Sequence, residues 1–225
     1  MLQLTKKGLV LHGQVDVLRD RFAKNHCVVL EKLLEPALLE KVQKQIEQAN
    51  WHSSAWDDFG TEFTLGNDSL RTVRLLLFLL NMPEFLNVIR IITGCAQITD
   101  FAGRVYRMTA GPQHHLAWHD DNADQQHVGF SMNLSTDVFR GGTFELRVRR
   151  THTPLAQVNN TGFGDALLFR ISKDLEHRVT EVVDNVAKTA CAGWFRATGK
   201  SYFAELTGWS ASVPITQSEH NLNQE

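Results

Sequence analysis

Cysteine is scarce in this sequence. The 225 residues contain three cysteines, Cys27, Cys95 and Cys191, which lie far apart and are odd in number. Such a set suggests neither a disulfide framework nor a cysteine-based zinc site, because both need paired or clustered thiols. Structural disulfides belong to oxidising compartments, so we expect a protein of the reducing cytoplasm.

Long hydrophobic runs and an excess of charge of one sign are also missing. The most apolar run, Leu75 to Leu80, is too short to span a bilayer, and the N-terminal residues lack the apolar stretch of a secretory signal. Lysine and arginine number 23 against 25 aspartates and glutamates, which gives a net charge of -2. We therefore expect neither a nucleic acid nor a membrane as a partner, and any partner must be inferred from a site.

The hydrophobic pattern changes near residue 96. Before that point, apolar residues recur at helical spacing, and one short apolar run predicts a strand. After it, β-prone segments alternate with turn residues. Helices followed by many short strands predict an α+β chain whose strands form a sandwich or barrel. We divide it into a helical and strand support region at 1–96, a β core at 97–199 and a C-terminal tail at 200–225, within a single domain.

Two local predictions concern the support region. Asn81 and Pro83 form a typical helix start, with Asn81 as the cap, and Gly94 is a typical helix end. Residues 51–68 are rich in Gly, Asp, Ser and Thr, which predicts a loop, and we expect it to lie near the entrance of a site together with Asn122 to His127.

The segment Trp118-His119-Asp120-Asp121 has the spacing of a metal site. If it forms a strand, His119 and Asp121 project to one side and Asp120 to the other. A divalent metal needs further ligands, and His177 is the best candidate for a second imidazole. Two histidines and one carboxylate on one face of an octahedron leave three positions open, which is the arrangement of non-haem Fe(II) oxygenases. The sequence has no H-E-x-x-H motif for a helical zinc site.

Residues from Ile98 to Arg196 resemble the 2-oxoglutarate and Fe(II)-dependent dioxygenases, and within them the prolyl-4-hydroxylase-like branch. The resemblance rests on the order of six elements, which is more specific than any one of them: His119-Asp120-Asp121, Asn133-Leu134-Ser135, Gly141-Gly142, Gly164 to Phe169, His177-Arg178-Val179 and Lys188. It implies a double-stranded β-helix, a cupin-like jelly roll with N-terminal supporting helices. It also implies that His119, Asp121 and His177 bind Fe(II), with 2-oxoglutarate and O₂ as co-substrates.

The resemblance also suggests residues that hold 2-oxoglutarate. A buried carboxylate needs a cation, and Lys188 is our first choice, with Arg196 as the alternative. Tyr106 is a candidate donor to the co-substrate, although core packing explains it equally well. Asn133 stands where the family often has tyrosine, and its amide could donate instead.

Three functions remain open at this point. The first is a hydroxylase that acts on a C–H bond of an amino acid, a residue in a peptide or protein, or a small metabolite, with succinate and CO₂ as co-products. The second is a cupin-like binding or regulatory module without turnover. The third is another mononuclear metalloenzyme on the same barrel.

Overall fold

A computed structural model describes residues 2–11, 13, 15–56, 60–65, 70–123, 125–159, 161–200 and 202. The predicted tail at 200–225 lies almost entirely outside these residues, as does Asp124. The described residues form four helices, α1 (Val15–Asn25), α2 (Pro36–Glu47), α3 (Leu70–Leu80) and α4 (Pro83–Thr93). The N-terminal strands are β1 (Leu2–Thr5), β2 (Gly8–Leu11), β3 (Cys27–Leu30), β4 (Trp51–Trp56) and β5 (Gly60–Leu65). The later strands are β6 (Asp100–Met108), β7 (Leu116–His119), β8 (Gln126–Asn133), β9 (Phe144–Val148), β10 (Pro154–Val158), β11 (Ala166–Arg170), β12 (Leu175–Val179) and β13 (Lys188–Arg196).

Two antiparallel sheets form the body of the protein. The larger has seven strands in the order β3-β11-β8-β13-β6-β5-β4, and the smaller has four in the order β10-β9-β12-β7. Strands that are consecutive in sequence alternate between the sheets from β6 to β8, as expected when a chain winds around a jelly roll. The predicted double-stranded β-helix is confirmed.

The larger sheet has two different faces. Along β8 and β13, alternate residues such as Phe130, Cys191 and Phe195 enter the main hydrophobic core, which also contains residues of all four helices. The intervening residues face the interior of the sandwich, where Asn133 and Trp194 lie. The helices therefore cover one face of this sheet and leave the other to form a cavity.

The predicted loop at 51–68 is wrong where the structure describes it. Residues 51–56 and 60–65 form the hairpin β4–β5, and β5 joins the larger sheet by pairing with β6. The aromatic side chains find distant partners, because Trp51 packs under the Arg107 guanidinium and Phe63 stacks on the buried ring of His114. Residues 57–59 and 66–69 of that prediction lie outside the described part of the chain.

Helix α4 begins differently from the prediction. Met82 is the N-cap residue, and it makes no side-chain cap. The Asn81 side chain instead accepts a hydrogen bond from the backbone N–H of Phe101 and donates to the carbonyls of Leu77 and Phe101. Asn81 therefore ties α3 to β6. The predicted end is correct, since Gly94 adopts a left-handed conformation and its N–H bonds the Arg90 carbonyl.

No single helix among the described residues is long and apolar enough to cross a membrane. By length and composition alone, a pair bent by 60° at residues 81–82, Thr72–Leu80 with Pro83–Thr93, passes the same test. Both helices contribute buried side chains to the main core.

Candidate active site

His119, Asp121 and His177 meet beside the edge strand of the smaller sheet. His119 ends β7 and pairs across the ladder with His177 on β12. One potential ligand atom from each of the three residues lies within 4.8 Å of the others. Asp121 comes after the strand and has a φ of 49°, so a turn, not strand alternation, brings its carboxylate to the histidines. Asp120 turns away and forms an ion pair with Arg149 at 2.6 Å.

The three side chains are held in ligating orientations. His119 Nδ1 lies 2.7 Å from the Ala117 carbonyl, which requires the proton on Nδ1 and leaves the Nε2 lone pair toward Asp121, 3.5 Å away. His177 Nε2 lies 3.3 Å from the same carboxylate. The His177 ring packs against Phe169 and Phe144, at centroid distances of 4.5 and 5.7 Å.

The protonation states of His177 and Asp121 also suit a divalent metal. Burial lowers the pKa of His177, and although Asp121 opposes this effect the net shift is downward. Burial alone would raise the pKa of Asp121, but its hydrogen bonds with His177 and Trp194 and the electrostatic effect of the two nearby imidazoles outweigh burial and lower it. A neutral imidazole and an ionised carboxylate are the forms that ligate metals, and two histidines with one carboxylate are a donor set that fits Fe(II).

Trp194 on β13 provides a contact that the sequence did not suggest. Its indole Nε1–H donates to Asp121 Oδ2 at 2.8 Å across the gap between the two sheets. An indole can only donate, so it orients the carboxylate without competing for the metal. The alternation of β13, which puts Trp194 on the same face as Lys188, was the available signal.

A cavity of about 540 Å³ extends from the three ligand residues into the sandwich. Lys188 lies at its wall, is only 8% exposed and donates from Nζ to the Gly142 carbonyl at 2.6 Å. Burial lowers the pKa of its ammonium to about 8. No carboxylate in the described part of the chain forms an ion pair with it, so Lys188 is a buried cation facing a cavity, and its role in binding 2-oxoglutarate stays a prediction.

The Gly141-Gly142 turn makes room for this lysine. Both glycines have positive φ, at 74° and 57°. A Cβ on Gly142 would come within 2.9 Å of the Lys188 Cδ, and one on Gly141 within 2.0 Å of the Glu181 carbonyl. Glycine is therefore required here both for the backbone conformation and for the close approach of the chain.

Tyr106 and Asn133 also line the cavity. Tyr106 is 2% exposed and hydrogen-bonds Ser131, and burial raises the pKa of its hydroxyl, which stays a neutral donor. The Asn133 side chain donates to the Thr161 carbonyl and accepts from the Ser135 N–H. Only its second N–H remains for a co-substrate, so its main contacts hold the strand end to the neighbouring loop. Roles for both residues in binding 2-oxoglutarate stay predictions.

Arg196 does not reach the cavity, and its selection as the alternative to Lys188 is wrong. It lies at the end of β13, where its guanidinium forms an ion pair with the buried carboxylate of Asp100. If the guanidinium turned toward the cavity, it would leave the buried carboxylate of Asp100 without a cation, which is energetically costly. Arg178 points to the outer surface, as strand alternation predicts, and pairs there with Glu145 at 2.7 Å.

The fold and the site are similar to those of one known class of protein. Residues 103–196 match the family model described as the 2OG-Fe(II) oxygenase superfamily, and all three metal-site residues and Lys188 lie within the match. This part of the chain is therefore similar in sequence to the 2OG-Fe(II) oxygenase superfamily. No curated protein matches the sequence.

Solved structures support the same fold. An oxidoreductase of the 2OG-Fe(II) oxygenase family from Burkholderia pseudomallei aligns with a TM-score of 0.63 at 14% identity, over 88% of this chain and 96% of that one. A prolyl hydroxylase from Trichoplax adhaerens, in complex with a hypoxia inducible factor peptide, gives 0.62 at 11% identity, over 82% and 90%. A Pseudomonas putida prolyl-4-hydroxylase gives 0.60 at 14% identity, over 81% and 98%.

Proposed function

We propose that this protein is a non-haem Fe(II)- and 2-oxoglutarate-dependent dioxygenase that hydroxylates an unactivated C–H bond. The observation that carries the proposal is the convergence of His119, Asp121 and His177 beside a cavity that contains the buried cation Lys188. When bound, Fe(II) supplies the chemistry in which one oxygen atom of O₂ enters the substrate and the other converts 2-oxoglutarate to succinate and CO₂.

The residues of the chain would divide the remaining work. His119, Asp121 and His177 would hold the metal on one face and keep the opposite positions open. Lys188 would bind the distal carboxylate of 2-oxoglutarate, since a buried carboxylate is stable only beside a cation. The apolar walls, including Phe144 and Phe169, would keep water from the reacting centre.

Membership of the prolyl-4-hydroxylase-like branch is part of this proposal. Two of the structural neighbours are prolyl hydroxylases, and one of them is in complex with a peptide. The order of motifs from His119 to Lys188 supports the same branch. The substrates consistent with the branch are a peptide or protein residue, a free amino acid or a related small molecule.

The test is anaerobic addition of Fe(II) and 2-oxoglutarate to the purified protein. We expect the weak visible absorption band that Fe(II) gives when a 2-oxo acid chelates it, and succinate formation once O₂ is admitted. The band should disappear in His177→Ala, whereas Arg178→Ala, which changes the neighbouring outward-facing residue, should keep it. A protein that binds no Fe(II), or that consumes O₂ equally well without 2-oxoglutarate, would contradict the proposal.

The binding-module alternative has no support. Such a module would have lost at least one ligand or the co-substrate cation, and all of these groups are present.

A further inference from the structure

A second cation, Arg104, faces the cavity at a shallower position than Lys188. It lies two residues before Tyr106 on β6 and therefore shares the inward face of that strand. Its side chain is 33% exposed, whereas Lys188 is a buried residue, and both residues line the same cavity. Lys188 thus lies deep inside, and Arg104 lies toward the mouth.

Arg104 is held in place by a buried acid. Glu62 on β5 has a fully buried side chain, and its Oε1 lies 2.5 Å from Arg104 Nε. The guanidinium lies 5.8 Å from the ring centre of Tyr106, so the side chain leans along the strand across that ring. Burial would lower the pKa of Arg104, but the hydrogen bond and charge of Glu62 outweigh it, and the guanidinium remains charged.

The bond to Glu62 uses only one edge of the guanidinium. Among the described residues, no side chain or carbonyl accepts a hydrogen bond from the two terminal nitrogens of Arg104, and Glu62 Oε2 is buried without a hydrogen-bond partner. A guanidinium fixed through Nε presents its terminal N–H groups as a rigid fork, which matches a carboxylate with two parallel hydrogen bonds.

The co-substrate does not need this fork. In the proposed function, one carboxylate of 2-oxoglutarate is bound at the metal and the other by Lys188. We propose that Arg104 is a specificity-determining residue of the substrate site, and that the substrate is a small organic acid whose carboxylate binds the Arg104 fork at the cavity mouth.

This inference rests on the proposed function and narrows its substrate. A residue inside a peptide chain carries no main-chain carboxylate, whereas a free amino acid or a similar acid does. The cavity, at about 540 Å³, is in the size range of sites that enclose small molecules. Glu62 acts as a positioning residue, because it touches Arg104 and no reacting group.

The experiment compares free amino acids with their carboxamides, which differ mainly in the charge of one group. Two readouts are used: the stimulation of succinate formation by the iron-loaded protein, and ligand-observed NMR binding to the protein loaded with Ni(II) and 2-oxoglutarate, which does not turn over. We expect at least one acid to bind and to stimulate turnover about tenfold better than its amide, from the loss of charge-assisted hydrogen bonds.

Three variants test the assignment to Arg104. Arg104→Gln should remove the preference for acid over amide and weaken acid binding by about tenfold or more, with the KM for 2-oxoglutarate little changed. Removing Arg104 alone leaves the buried carboxylate of Glu62 without a cation. The double variant Glu62→Gln with Arg104→Gln removes both charges and therefore provides a second test, in which we expect the same loss of acid preference and acid binding. Arg107→Gln, on the same strand but facing outward, is the matched control and should keep the preference.

Several results would overturn the inference. A panel in which no acid is preferred to its amide would do so, as would a preference that survives in both Arg104 variants. An Arg104→Gln protein whose KM for 2-oxoglutarate rises while acid binding persists would assign Arg104 to the co-substrate instead. If the parent protein forms no succinate at all, the proposed hydroxylase fails, and the NMR preference still decides the role of Arg104.

Discussion

At the scale of single residues, the candidate site depends on side chains that touch the metal ligands without being ligands. Trp194 donates to Asp121, and the Ala117 carbonyl fixes the tautomer of His119. Such contacts set the orientation and basicity of the ligands, so the effect of losing them should appear in metal affinity before it appears in folding.

Replacing Trp194 with phenylalanine tests this view. The variant keeps an aromatic ring but loses the N–H that binds Asp121 Oδ2. We expect metal affinity to fall by about 10- to 100-fold, with little change in the stability of the metal-free protein. Calorimetric titration with Mn(II) measures the affinity, and Trp51→Phe, at a residue that does not line the cavity, serves as the control. Equal affinities in parent and Trp194→Phe would show that the indole does not orient the carboxylate.

Lys188 should make 2-oxoglutarate binding depend on pH. Burial lowers its pKa to about 8. The folded protein without 2-oxoglutarate therefore loses the charge of this side chain above that pH, whereas the unfolded chain keeps it up to the ordinary pKa of lysine. Affinity for the dianion should therefore fall about tenfold per pH unit above that point. In the same window the stability of the metal-free protein should rise, because the native state then binds fewer protons than the unfolded state.

Titration calorimetry from neutral pH to pH 10, roughly the ordinary range for lysine, would measure the 2-oxoglutarate affinity. Lys188→Met keeps the length of the side chain and removes the charge, so it should bind weakly and without this pH dependence. An affinity in the parent that stays constant across the window would exclude Lys188 as the partner of the distal carboxylate.

At the scale of elements, β7 is the least secured part of the site. It is an edge strand of the smaller sheet and pairs only with β12 among the described strands. Its outer face carries Trp118, which packs between the guanidinium groups of Arg147 and Arg178 at 3.7 and 4.8 Å. Each arginine also forms an ion pair with a glutamate on a neighbouring strand, so this cluster fastens β7 to the sheet.

Trp118→Ala should therefore weaken both the sheet and the site. We expect the free energy of unfolding to fall by roughly 2 kcal/mol, from lost burial and two cation–π contacts. Urea denaturation measures the change, and metal titration should show a weaker site because His119 ends the same strand. A variant with parental stability would mean that the arginines and glutamates hold β7 without the indole.

The elements also explain what could be predicted from the sequence. Strands β6, β8, β9, β11, β12 and β13 were predictable because each is a short apolar or alternating run between turn residues. The β4–β5 hairpin was not, because its small and polar residues are typical of loops, and its aromatic residues are stabilised by Arg107 and His114, which are distant in sequence. The left-handed backbone of Asp121 and the capture of Asn81 by β6 likewise depend on tertiary contacts.

At the scale of the whole molecule, the main hydrophobic core and the candidate active site lie on opposite faces of the larger sheet. The main core joins all four helices to the outer face of that sheet, and the cavity lies on its inner face. Phe195 belongs to the first of these regions, with ring contacts to Phe85, Phe101 and Phe130 and no exposed surface.

Phe195→Ala should lower the free energy of unfolding by about 3–5 kcal/mol, because it leaves a cavity where a helix and three strands meet. Chemical denaturation measures the loss. Phe78→Ala is the control, since this ring on α3 is half exposed and its removal should cost far less. Metal affinity of the folded Phe195→Ala protein should stay close to that of the parent, and a large loss would show that the two faces are coupled.

The turn that carries Asp121 bears on whether the metal binds before the substrate. Two of the three candidate metal ligands belong to paired strands, whereas Asp121 belongs to the segment at 121–123, which follows β7 and lines the cavity. A metal ion bound by all three residues would therefore link the paired strands β7 and β12 to the segment at 121–123. Metal binding would restrict the motion of this segment beside the substrate site. We therefore expect the metal-free protein to bind the proposed organic acid weakly, even though Arg104 is in place.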